Sequence, residues 1–235
     1  MTHGLFLCAR SQSGPNRHEL PTITTMRRYA RAERRALADL LLALGPDEPT
    51  LCAGWATRDL AAHLVVRDRR PDAAAGIVFR PLRGWGDRVR ARLAHSPYPE
   101  LVERVRRAPW WSPVSNPALD PAVNTLEYFV HHEDVRRARP AWQPRELSRG
   151  HQEALWRQVP RLATLALRRL PATVVVQSPG YGEIHVGAGG PEVRLVGAPG
   201  ELLIFLTGRQ RAARVQVDGP AKLADRLRTA RLGVR

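Results

Sequence analysis

Glu127 and His131 stand four residues apart in a helix-forming run, so one turn of helix brings a carboxylate and an imidazole to the same face. Val123, Leu126, Val130 and Asp134 continue that stripe and mark it as an interior one. Burying such groups without partners costs several kcal/mol, on the order of the desolvation penalty of an ion. A divalent cation would offset it, with an oxygen from Glu127, a nitrogen from His131 and a second nitrogen from another helix. His63 suits that role, because it shares a helix face with Leu60, Leu64 and Arg67. Three protein ligands leave positions open for water, the arrangement of a catalytic rather than a structural zinc site.

The same residues also fit plainer chemistry. Glu127 and His131 make an ordinary i,i+4 pair, and a histidine on an apolar face can be a hydrogen-bonded core residue. Asp134 could serve as a fourth ligand, as an acceptor at the helix end, or as the partner of a ligating histidine. His132 and Glu133 lie about 100° and 200° round the helix from His131, which places them in solvent or behind the ligands. Cys52 reads as a small packing residue, with an internal nucleophile or extra ligand as the alternative.

Several elements must position these groups. Apolar spacing at Leu37, Leu40, Leu41 and Leu44 predicts a first helix from about Arg27, stopped by Gly45-Pro46. After a turn containing Cys52, Gly54 and Trp55, Thr57 is expected to cap a second helix that carries His63. Two arginine-rich helical stretches follow at about 84–95 and 98–107. Trp110, Trp111, Pro113, Asn116 and Pro117 predict an aromatic, proline-rich loop. Asp120-Pro121 reads as the start of the helix bearing Glu127 and His131, and Pro140 lies beyond its end. A further helix over 146–169 should be kinked or split by Pro160. Beyond Pro171 the period changes to two, giving strands at 173–176, 182–186, 192–196 and 213–217, with helices at 200–207 and 220–230.

The expected organisation is therefore a loose tail over 1–25, a helical unit over 26–170 and a small α+β unit over 171–235. Met26 is a possible start of translation. The chain has 235 residues, 43% of them hydrophobic and 25% charged, which excludes disorder throughout. It contains no apolar run of membrane-spanning length. Two cysteines, Cys8 and Cys52, cannot make a disulfide framework, so a reducing cytoplasm is the expected compartment. The net charge of +15 invites a nucleic-acid reading. Against it, only Lys222 among the basic residues is lysine, and the excess is shared equally between 26–160 and 161–235 instead of forming a patch. The arginine content matches a GC-rich codon bias.

The runs Leu51-Cys52-Ala53-Gly54-Trp55-Ala56-Thr57-Arg58-Asp59-Leu60-Ala61-Ala62-His63-Leu64 and Glu127-Tyr128-Phe129-Val130-His131-His132-Glu133-Asp134 resemble the metal-binding family of mycothiol-dependent maleylpyruvate isomerase. That family belongs to the DinB-like superfamily of four-helix bundles. With Trp110-Trp111-Ser112-Pro113, the resemblance is closest to an actinobacterial branch described only as metal-binding proteins. The run from Gly197 to Arg209 is similar to the small sterol-carrier-like α+β domain that follows the bundle in those isomerases.

The resemblance implies a zinc or related divalent metal on His63, Glu127 and His131. It also implies a thiol-dependent isomerase or transferase acting on a small electrophilic substrate, with mycothiol as a cofactor. The nucleophile would then be the cofactor thiol or a metal-bound water, and no side chain is assigned that part. Arg58, Arg67 and Arg209 are candidates to hold a carboxylate. A noncatalytic metal- or small-molecule-binding module is the alternative.

Overall fold

The computed structural model describes residues 23–78, 80–107, 109, 112, 121–187 and 189–232. Among them, α1 (Ile23–Leu44), α2 (Thr57–Arg69), α3 (Pro71–Val78), α4 (Arg83–Ala94), α5 (Tyr98–Arg106) and α6 (Pro121–Arg136) form the first part of the chain. Next come α7 (Arg149–Trp156) and α8 (Val159–Leu167), then β1 (Thr173–Ser178), β2 (Gly182–Val186), β3 (Glu192–Val196), α9 (Pro199–Leu206), β4 (Gln216–Asp218) and α10 (Ala221–Thr229). The protein is thus mostly helical with a small mixed sheet. No described helix is long and apolar enough to cross a membrane.

Among the described residues two large apolar cores form beside two small clusters. Leu37 and Leu41 of α1, Leu60 and Leu64 of α2, Leu101 and Val105 of α5, and Tyr128 and Val135 of α6 make the first. The second joins Leu155, Val159 and Leu167 of α7 and α8 to Val174, Val176, Val193 and Leu195 of the sheet and to Leu202 and Phe205 of α9. Phe129 and Val130 of α6 belong to this second core. Helix α6 is therefore a wall between the two, buried from Tyr128 to Val135.

The sheet order is β2-β1-β3-β4, with β1 and β3 parallel and both edges antiparallel. Alternation along β3 buries Val193 and Leu195 and exposes Glu192 and Arg194, as a sheet covered on one face requires. Gly200 lets α9 approach α6 closely, since a Cβ there would stand 2.9 Å from Phe129 Cζ.

Several expectations are corrected. Helix α1 begins at Ile23, so the last three residues of the expected tail are helical. Thr57 is not the cap of α2: its hydroxyl donates to the Gly45 carbonyl at 2.6 Å, and the Asp59 carboxylate accepts the Ala56 N–H at 3.2 Å instead. The segment around Pro160 is split into α7 and α8, as the sequence leads one to expect, because proline at the second position of α8 suits a helix start. The last strand is shorter than its apolar pattern, the chain making a 3-10 turn over Gln210–Ala212 first. The Trp110–Trp111 pair and Asn116, Pro117 and Asp120 lie outside the described residues, while Ser112 is buried.

Arg137 ties the two cores together. Its guanidinium donates to both carboxylate oxygens of Glu201 at 2.6 and 2.8 Å, to the Ala212 carbonyl at 2.6 Å and to Glu133 at 2.5 Å. Removing one partner of a buried pair leaves the other charge uncompensated. Arg137→Met should cost about 3 kcal/mol or more of unfolding free energy, read from urea denaturation, although the substitution is apolar and close in volume.

Candidate metal centre

The turn before α2 sets one side of the site. Thr50 N–H donates to the Trp55 carbonyl at 3.2 Å and Trp55 N–H to the Cys52 carbonyl at 2.9 Å, while Gly54 takes a φ of 76° that the turn needs. This turn sets the Trp55 ring 5.1 Å from the ring of His63. Helix α2 carries His63 on a polar interruption of a face that otherwise buries Leu60 and Leu64. Across from it, α6 presents Glu127, His131 and Asp134 on successive turns.

The structure brings His63, Glu127 and His131 together. Glu127 Oε1 lies 3.4 Å from His63 Nε2 and 3.2 Å from His131 Nε2. One ligand-type atom from each of the three falls within 4.8 Å of the others. The imidazoles are nearly enclosed, with 12% and 10% of the side chain exposed, whereas Glu127 keeps 28%. The site thus opens to solvent on the Glu127 side, where Val123, one turn earlier, is half exposed. This corrects the interior stripe at its first position.

Asp134 stands behind His131. It accepts from His131 Nδ1 at 2.9 Å, and this contact points the Nε2 edge of the ring toward Glu127. Arg209, from the turn after α9, holds both Asp134 oxygens at 2.8 and 2.7 Å. Cys52 Sγ lies 3.2 Å from Asp134 and 3.7 Å from Arg209. Cys52 therefore does more than pack: its thiol belongs to the polar cluster around Asp134. Cys52, His131 and Asp134 form a second group with metal-ligand spacing. There, however, both carboxylate oxygens are already taken by a guanidinium, whose charge opposes a cation. The first group carries no such bidentate clamp.

Protonation follows from these contacts. Burial alone would lower the His131 pKa, yet hydrogen bonds to Asp134, Cys52 and Glu127 lift it well above the ordinary histidine value. Burial would raise Glu127, but His131, His63 and the charge of Arg67 hold it well below the carboxylate range. For His63 burial prevails and lowers the pKa, with Glu127 opposing. Burial pushes Asp134 up, and His131 and Arg209 overcome it to leave a strongly acidic carboxyl.

The other candidates fall elsewhere. Arg209 is committed to Asp134, so its guanidinium is not free to clamp a substrate carboxylate, and Arg58 stands at the surface with its Nε 3.1 Å from the exposed Asp47 carboxylate. Arg67 is buried beside Glu127. His132 and Glu133 are buried too, not solvated. His132 Nδ1 is 2.8 Å from Glu33, and Arg145 pairs with both Glu33 and Glu133. Sequence spacing carried no sign of Glu33, Asp68, Arg34 or Asn124, which reach the site's surroundings from other helices or other turns.

No family profile matches the chain, and no curated protein does. Among solved structures the fold is shared with a mycothiol-dependent maleylpyruvate isomerase. The likeness has a TM-score of 0.55 and 13% identity, covering 84% of this chain and 93% of the other. A mutant form of an isomerase so described superposes with a TM-score of 0.53 over the same shares. At this identity the likeness is one of fold.

Glu33 gives the site's surroundings an acid limit. Burial would raise its pKa, but hydrogen bonds from His132 and Arg145 keep it below the ordinary glutamate value. Its contribution to stability is thus complete above that ordinary value, about 4.3, and is lost as pH falls through the depressed one. Glu33→Gln should lower stability at pH 7 by about 1–3 kcal/mol and show a shallower loss as pH falls below the ordinary glutamate value. Urea midpoints from pH 7 downward check both.

Proposed function

We propose that the protein binds a divalent metal, with zinc the first candidate, through His63 Nε2, Glu127 Oε1 and His131 Nε2. We further propose that it uses this centre as a thiol-dependent isomerase or transferase acting on a small electrophilic substrate. The observation that carries the metal is the convergence of two imidazole edges on one carboxylate oxygen, each within 3.4 Å of it. Two nitrogens and an oxygen are a donor set that zinc accepts. The carboxylate behind His131 is the partner that ligating histidines usually have. On this reading residues 26–170 form a DinB-like bundle and 171–235 a sterol-carrier-like unit, in a cytoplasmic protein whose partners are small molecules and not nucleic acid.

When bound, such a metal stabilises a thiolate at neutral pH or polarises a carbonyl. The chain's own residues do the rest. Glu127 opens to solvent and marks the side from which a ligand enters. Trp55, beside His63, and the helix walls exclude water from the imidazoles. Asp134, held by Arg209, keeps His131 in one tautomer and orientation. The thiol reading, with mycothiol as the first candidate, is supported by the shared fold alone.

Purified protein should hold about one zinc-like ion per chain, measured by elemental analysis after reconstitution. His63→Ala and His131→Ala should each abolish retention. Asp134→Asn should weaken affinity by about 10–100-fold, the usual cost of losing the partner of a ligating histidine. Retention of the metal without binding or consumption of mycothiol, across a panel of electrophilic acids, would favour the noncatalytic module. Absence of metal from folded, reconstituted protein would end the proposal.

A further inference from the structure

The carboxylates around the three proposed ligands are each matched by a guanidinium before any cation arrives. Arg67 Nε lies 3.6 Å from Glu127 Oε1. The rest of that guanidinium is fixed, Nη1 donating to Asp68 at 3.2 Å and Nη2 to the Asn124 side-chain oxygen at 2.9 Å. With 8% of its surface exposed, Arg67 cannot swing out to hold a substrate.

Asp68 is itself doubly matched, accepting from Arg34 at 3.0 Å and from the Tyr128 hydroxyl at 2.6 Å. Two carboxylates, Glu127 and Asp68, therefore meet two guanidiniums, Arg67 and Arg34. On the other side Asp134 is matched by Arg209. Near Trp55, Asp59 is matched by Arg90 at 2.5 Å.

A glutamate ligand ordinarily gives its negative charge to the metal. Here that charge already faces a guanidinium held in place. A dication on Glu127 and two neutral imidazoles would leave two positive charges uncompensated beside imidazoles that are about nine-tenths enclosed. Water screens such a place poorly, and like charges several ångströms apart then repel strongly.

We infer that Arg67 sets the charge of this centre so that it takes its cation together with an anionic ligand, a carboxylate or a sulfur anion, the two binding with positive cooperativity. The inference rests on the metal reading above and adds the ligand's charge and the residue that imposes it. Arg67 is a positioning residue: it acts through Glu127 and does not touch the ligand. Cooperativity is reciprocal, so the anion also binds more tightly when the metal is present.

The test is titration of Co2+ into metal-free, full-length protein, followed by visible absorption, with perchlorate holding ionic strength constant. Saturating acetate or thiocyanate represents the carboxylate and sulfur classes. In the wild type at least one of them should tighten Co2+ binding by about fivefold or more and change the cobalt spectrum as the anion enters its coordination. Arg67→Met should bind Co2+ alone on the order of tenfold more tightly and lose the response to anions. Arg67→Lys, which keeps the charge, should restore it.

Wild-type Co2+ affinity indifferent to both anions would overturn the inference. So would a folded Arg67→Met protein that binds the metal no more tightly than wild type. If Arg67→Met does not fold, the wild-type anion response and the Arg67→Lys protein still decide. Failure of wild-type protein to bind Co2+ or zinc at all would instead overturn the metal reading on which the inference stands.

Discussion

Helix α6 is enclosed by two cores and yet carries two glutamates, an aspartate, two histidines and an arginine near its end. That burial is the constraint on which the rest of the structure depends. Ionised groups cannot be kept from water unless each finds an opposite charge or a set of hydrogen bonds. The surrounding elements supply them: Arg67 and Arg34 from α2 and α1, Arg145 from the segment before α7, and Arg209 from the turn after α9. The high arginine content, which in the sequence looks like codon bias or a nucleic-acid footprint, is in part this internal neutralisation.

The two sides of α6 use that chemistry differently. On the side of α1 and α7, Glu33, His132, Glu133 and Arg145 form a closed network, and Arg137 extends it to Glu201 of α9. Such a network fixes how the sheet-bearing part of the chain seats against the helices. On the side of α2, His63, Glu127 and His131 face one another with a partly open carboxylate, and the groups behind them are satisfied. A site with rigid backing and one open edge is what a bound ion and an incoming ligand require. The likeness to a mycothiol-dependent maleylpyruvate isomerase is one of fold alone.

Much of the architecture was legible in the chain. Periodicity places the helix of Leu37 and Leu41, the helix of His63 and the three strands β1 to β3, because one-sided burial writes a period of 3.6 or 2 into the residues. It was less decisive on α6 for the converse reason: a helix buried on both sides has no polar face to contrast with, so His132 and Glu133 read as either solvated or behind the ligands, and both are covered. It placed Cys52 as a packing residue, which it is, but gave no sign that its thiol also meets a carboxylate 82 residues away.

Residue types and i,i+4 spacing alone determined that Glu127 and His131 share a face and that His63 interrupts an apolar one. Those are local facts, set by the rise and turn of a single helix. Only the tertiary structure decided that the three come within contact of one another, that Asp134 backs His131 instead of facing the centre, and that a guanidinium neutralises Glu127. Such distances depend on how separate helices cross and on which long side chains reach between them, and no spacing within one segment encodes either.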